Sequence, residues 1–106
     1  MPRITVRQLQ DAGASPAALD RFRKLFGDSV EVTKESALNM ADDFYGEWPN
    51  FAARHFLSPT AFAEYRRVMD ATRAWAEYWD MEDSVLRARA AACFARLYLG
   101  EQEASS

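Results

Sequence analysis

The sequence predicts an all-α fold, with short N-terminal helices packed on a long C-terminal helix or helical hairpin. Three observations predict it. Apolar residues recur at spacings of three and four over most of the chain, as Leu19, Phe22 and Phe26 do. Helix-start signals precede these runs: Thr5-Val6-Arg7-Gln8, Ser15-Pro16, Thr33 and Ser58-Pro59. From Thr60 to Leu99 there is neither glycine nor proline, and strong helix formers dominate.

Residues 1–3 form a short basic lead-in. Thr5 and Gln8 fit a capping box, with Ile4 and Leu9 placed as a hydrophobic staple. Gly13 ends this first short helix. Ser15 caps the second, Pro16 takes its first position, and Gly27 stops it. Leu19, Phe22 and Phe26 share its apolar face, with Leu25 adjoining. Val30-Glu31-Val32 is the one β-like stretch, too short and solitary for a sheet, and reads as an extended connector. Thr33 caps a third helix carrying Ala37, Leu38, Ala41, Phe44 and Tyr45, which Gly46 ends. Trp48 precedes Pro49 and is expected to be extended. Pro49 then opens a fourth helix through Phe51, Ala52 and Phe56. Ser58-Pro59 starts the long segment and Gly100 terminates it. Residues 1–100 are thus one helical domain, and 101–106 a frayed tail.

Within the long segment, Phe62, Tyr65, Met69, Thr72, Ala76 and Trp79 alternate in steps of three and four. The register continues through Asp83, Leu86, Ala90, Cys93 and Leu97. An unbroken helix of about forty residues spans roughly 60 Å. With no strong breaker, the spacing favours a continuous or merely kinked helix. A hairpin broken near Asp83-Ser84, with either residue as the new N-cap, is the alternative. Tyr78, Met81 and Val85 lie opposite the main stripe, at about 100° per residue. At a break they become the inside of a corner; on a continuous helix they face the N-terminal helices or a partner.

Composition narrows the function classes. The 106 residues are 49% hydrophobic and 27% charged, enough for a packed core. A net charge of −3 argues against a broad basic field for nucleic acid. One cysteine excludes an intrachain disulfide and a cysteine-based zinc cluster, and one histidine excludes a two-histidine metal site. No window reaches the ~18 apolar residues of a membrane span, and the start does not read as a signal peptide. The expectation is a soluble cytoplasmic protein.

His55 is the one base suited to neutral pH, and it reads as a helix-end residue. There is no nucleophile elbow and no HExxH. Cys93 sits on the apolar stripe as a small hydrophobe, with no positive group in register to activate it. The acidic clusters Asp42/Asp43/Glu47 and Asp80/Glu82/Asp83 lack EF-hand spacing and read as solvated faces. Arg66, Arg67, Arg73, Arg87, Arg89 and Arg96 decorate the long segment. Glu64 and Asp70 precede Arg67 and Arg73 by three, which suits local ion pairs. Trp48, Trp75, Trp79, Tyr45, Tyr65, Tyr78 and Tyr98 are many for so short a chain. Those left exposed beside arginine are the makings of a binding hot spot.

The chain resembles a family of small bacterial and phage or prophage proteins that carry AEYxRV-type repeat units. The resemblance rests on "ITVRQLQDAGAS", "LDRFRKLFGDSVEVT", "ARHFLSP", "AEYRRVMDATRAWAEY" and "FARLYLG", in that order, and extends over nearly the whole chain. It implies an accessory gene of a mobile element, not a mechanism. The family's units recur about every eleven residues, returning to one helix face. Here Ala63-Glu64-Tyr65 recurs at Ala76-Glu77-Tyr78, thirteen residues on. Thirteen steps turn about 220°, so Tyr78 leaves the face of Tyr65 and Trp79 takes its place.

The reading is a non-enzymatic protein-binding module. Its concrete form is a mobile-element-encoded inhibitor of a CRISPR or other host defence complex, acting by steric occlusion. The partner is a host protein or complex, engaged through Tyr78, Met81, Val85, Trp75 and Arg89. The alternative is a homo-oligomeric structural protein that self-associates through the long C-terminal helix. No catalytic residue, metal, cofactor, membrane or nucleic-acid partner is expected.

Overall fold

The computed structural model describes residues 2–44 and 47–104. The fold is mostly all-α, with one small two-stranded ladder. Strand β1 (Arg3–Thr5) pairs antiparallel with β2 (Ser29–Glu31), setting Ile4 opposite Val30. This corrects the reading of the β-like stretch as a solitary connector. Its partner is Arg3–Thr5, the end of the lead-in together with the staple and cap residues of the first helix, too short to show alternation. Backbone bonds from Val6 N–H to the Asp28 carbonyl and from Val32 N–H to the Pro2 carbonyl, both 2.9 Å, extend the pairing.

Helices α1 (Val6–Asp11) and α2 (Pro16–Phe26) begin as their caps dictate. The Thr5 hydroxyl accepts from Gln8 N–H, and the Gln8 side chain accepts from Thr5 N–H. Ile4 and Leu9 are both buried beneath this box. Gly13 and Gly27 take positive φ, which glycine adopts without a Cβ penalty.

Helix α3 (Lys34–Asn39) is capped by Thr33, with Ser36 answering. It does not run on as α-helix. Met40–Phe44 forms a wider π-helical turn. Met40, Ala41 and Phe44 are all buried there. Tyr45 and Gly46, where the sequence ends this helix, lie outside the described residues.

Helix α4 (Trp48–Phe56) begins one residue earlier than expected, with Trp48 helical rather than extended. The Glu47 carbonyl accepts from Asn50 and Phe51 N–H at 3.1 Å. Pro49 sits in the first turn, where its missing N–H costs no helix bond. Burial of the Trp48 ring outweighs the usual preference of a pre-proline residue.

The long segment is a hairpin. Helix α5 (Pro59–Trp79) and helix α6 (Asp83–Ala104) are joined at Asp80–Glu82 and pack on each other. The continuous helix favoured by the sequence is therefore corrected to its alternative. Each helix is roughly 30 Å long at 1.5 Å per residue, which fits a molecule whose longest extent is 40 Å. Gly100 does not stop α6, which continues to Ala104. The Glu101 carboxylate accepts the Ser58 N–H at 2.9 Å and ties this end to the start of α5.

Helix α6 is central, packing against α3, α4 and α5. Five of the six residues from Ala90 to Ala95 are buried, more than one face. Ala91 and Ala95 meet Ala37 and Ala41 in a small-residue seam. On another side, rings run in edge contacts from Phe22 to Phe44 (5.7 Å), to Trp48 (5.7 Å) and to Phe94 (6.4 Å). This chain of rings joins the N-terminal helices to the hairpin. The stripe residues Tyr65, Met69, Ala76, Ala90 and Cys93 are buried within the same chain.

Candidate functional site

The turn between α5 and α6 builds the surface that the fold leaves unexplained. Asp80 has φ 52° and ψ 49°, the one non-glycine positive φ among the described residues. Its N–H and that of Met81 both bond to the Ala76 carbonyl, a Schellman-type end for α5. Aspartate tolerates this conformation better than most residues. The Glu82 carbonyl then accepts from Val85 N–H (3.0 Å) and Leu86 N–H (3.3 Å), starting α6. Thus Glu82, not Asp83 or Ser84, occupies the N-cap position. Glu82 and Asp83 there meet the positive end of the new helix dipole, which favours breaking the chain at this acidic run.

The last turn of α5 outruns the core. Trp75 is 62% exposed, Tyr78 79% and Trp79 60%. Trp75 and Trp79 stack with centroids 6.0 Å apart and planes at 16°. Tyr78 meets Trp79 edge-on at 5.0 Å. Val85, on the first turn of α6, is 40% exposed, Met81 is half-buried in the turn, and Arg89 is exposed one helical turn beyond Val85.

The structure therefore brings Trp75 and Tyr78 into one ring cluster and leaves Met81, Val85 and Arg89 beyond it. The Tyr78–Val85 patch is not the inside of a corner, because the chain reverses after Tyr78 and leaves that ring outside. Trp79 was missed. Its spacing puts it on the buried stripe, yet it is exposed where Ala76, three residues earlier, is buried. The legible signal was the crowding of three large rings into five residues beside an acidic run.

Charge within the turn is acidic, with Arg73, Arg87 and Arg89 flanking it. Residues 74–86 hold Glu77, Asp80, Glu82 and Asp83 and no lysine or arginine. All four carboxylates are exposed, and none forms an ion pair among the described residues.

Other candidates carry less. A groove of about 820 Å³ between α4 and α5 is lined by residues including Arg54, His55, Arg66 and Tyr65. The Tyr65 hydroxyl donates to Asn50 Oδ1 at 2.7 Å, and Asn50 Nδ2 donates to the Glu47 carboxylate at 2.9 Å. Burial pushes the Tyr65 phenol well above its ordinary range, so it is a fixed donor. His55 rests its ring 4.5 Å from Phe51. No hydrogen bond joins it to Tyr65 among the described residues.

Cys93 is buried, and burial raises its thiol pKa. Arg96 does lie beside it, a positive group the sequence reading missed, but its lowering effect is smaller than that of burial. No cluster of three or more His, Cys, Asp or Glu able to hold a metal is present among the described residues. The Asp43 side chain lies outside them. No helix among them is long and apolar enough to cross a membrane. No protein-family model, curated protein or solved structure matches the chain.

Proposed function

We propose that this chain is a non-enzymatic protein-binding module that docks on a host protein or complex through the tip of the α5–α6 hairpin. The observation that supports it is the exposed ring cluster in which Trp75 stacks on Trp79 and Tyr78 meets Trp79 edge-on. Rigid aromatic side chains bury large area at low entropic cost and dominate protein interfaces. The fold has no evident use for them there, since the core closes at Ala76. We carry the reading to a mobile-element-encoded inhibitor that occludes a surface of a host defence complex. The resemblance noted above motivates that step. Self-association through the long stripe is not carried forward, because Tyr65, Met69, Ala76, Ala90 and Cys93 are covered inside one chain.

The test is affinity capture from the native host with mass spectrometry, comparing wild type with Trp79→Ala and with Tyr78→Ala/Val85→Asp. A partner held by wild type and lost from both variants, each shown folded by circular dichroism, is the expected result. Equal capture by the folded variants refutes the tip. For the inhibitory form, expression of the chain should raise the plating efficiency of a phage that the defence system targets. The tip variants should not.

A further inference from the structure

Resting on the protein-binding reading, we propose that the tip recognises a basic, arginine-bearing segment of its protein partner. An arginine guanidinium would stack on an exposed Trp75 or Trp79 ring face, and neighbouring basic groups would pair with the carboxylates of the same stretch. Two independent features converge on this chemistry. The rings offer electron-rich faces open to solvent, which attract a cation within about 6 Å. Four exposed carboxylates that form no ion pair among the described residues lie in the same stretch, 74 to 86, which holds no basic residue; Glu77 is on the opposite face of α5 from the two tryptophans, and Asp80, Glu82 and Asp83 are in the turn that follows them.

The same charges disfavour the other occupants of an aromatic surface. A nucleic-acid strand would stack bases on the rings but bring phosphates against four carboxylates within a Debye length of about 8 Å. An anionic bilayer meets the same repulsion, and the nearest arginines, Arg73, Arg87 and Arg89, lie outside the stretch 74–86 that holds the rings and the acids. A second copy docking tip to tip would set four carboxylates against four. A basic protein surface gains from both features at once. Arginine exceeds lysine here because its planar, weakly hydrated guanidinium stacks while its edge still donates to carboxylates.

The test uses the full chain and three fluorescein-labelled ten-residue peptides: alternating arginine–serine, lysine–serine and glutamate–serine. Binding is read by fluorescence anisotropy at low and at physiological salt. The arginine peptide should bind several-fold more tightly than the lysine peptide, and the glutamate peptide not measurably. Trp75→Ala/Trp79→Ala should weaken arginine-peptide binding by about tenfold, the scale of a desolvated cation–π contact. Glu77→Gln/Glu82→Gln/Asp83→Asn should weaken it as much at low salt, and raised salt should remove most of that second effect. Arginine-peptide binding that both variants leave unchanged overturns the proposal, as does binding of the glutamate peptide. Tip-dependent binding of phosphatidylserine vesicles or a single-stranded oligonucleotide, or a tip-dependent dimer in light scattering, also overturns it.

The variants run in parallel through affinity capture separate this inference from the reading beneath it. If the tryptophan variant loses its cellular partner while the arginine peptide never binds, protein binding stands and the charge inference falls. If the variant keeps its partner, the tip is not the binding surface and both fall.

Discussion

The hairpin makes one prediction that turns on the sign of a difference. Asp80 is the residue whose left-handed backbone ends α5. Replacing it with glycine and with alanine removes the same charge from the same place, so electrostatics cancels between the two variants. In the left-handed region an alanine Cβ costs about 1–2 kcal/mol. Glycine avoids that cost but loses about 0.4–1 kcal/mol through the greater entropy of its unfolded chain. The hairpin therefore predicts Asp80→Gly more stable than Asp80→Ala by roughly 0.5–1 kcal/mol. An unbroken helix predicts the reverse, with alanine ahead by about 0.8–1 kcal/mol. Urea denaturation of the two full-length variants decides it. Thermal unfolding of the same pair should show a separation of about 2–6 °C in melting temperature for a chain of this size. Alanine above glycine by a similar margin would refute the turn and with it the exposed tip. Asp80→Asn isolates the charge: a carboxylate at a helix C-terminus is unfavourable by about 0.3–1 kcal/mol at low salt. A gain of that size, fading as salt rises, is expected, and a gain independent of salt would contradict this account.

Trp48→Ala should cost about 3–5 kcal/mol in urea denaturation, since the ring links Phe44 to Phe94 across the core. Trp48→Phe should cost far less, because the buried Trp48 Nε1 has no hydrogen-bond partner to lose; equal losses would show the link is not made by the ring. Ala91→Leu, in the seam of α6 against α3, should cost about 1–3 kcal/mol or more through overpacking, and a neutral result would mean the seam is open. Burial raises the pKa of Tyr65, Cys93 and Tyr98 in the folded chain. Above pH of about 9–10 the unfolded chain loses these protons first, so stability should fall as pH rises, by up to about 1.4 kcal/mol per pH unit per group. Tyr65→Phe should lower stability at neutral pH by about 1 kcal/mol through the lost bond to Asn50, yet flatten the alkaline decline by one proton; an unchanged slope would show that Tyr65 does not contribute.

Local signals were legible where a few adjacent residues decide the structure. Thr5 with Gln8, Ser15 with Pro16, Thr33, and Ser58 with Pro59 all start helices, because capping is chemistry within one turn. Features set by distant packing were not. The β1–β2 pairing joins residues 24 to 28 apart through three-residue strands, too short for periodicity to register. Trp48 is helical with its ring buried in the core, where it meets Phe94 of α6, a residue 46 positions away. Gly100 sits inside α6 because Glu101 reaches Ser58, a contact invisible to helix-stop rules. At the tip, the sequence singled out Trp75, Tyr78 and Val85, all exposed, but assigned Trp79 to the core. A stripe records which residues share a face, not where the opposing helix ends.

That distinction bears on what the tip is for. The acidic run has a structural reason: Glu82 and Asp83 open α6 at its positive end, and Asp80 closes α5. The rings have none of this kind. A helix that ended its apolar stripe at Ala76 and carried polar residues at positions 75, 78 and 79 would pack against α6 equally well. It would also avoid the association risk of an exposed aromatic patch. Replacing these rings should therefore change stability by no more than about 0.5 kcal/mol, the ordinary range for surface positions. A protein that keeps side chains its fold does not need, at the one turn where they stack in the open, holds them for a contact beyond its own core.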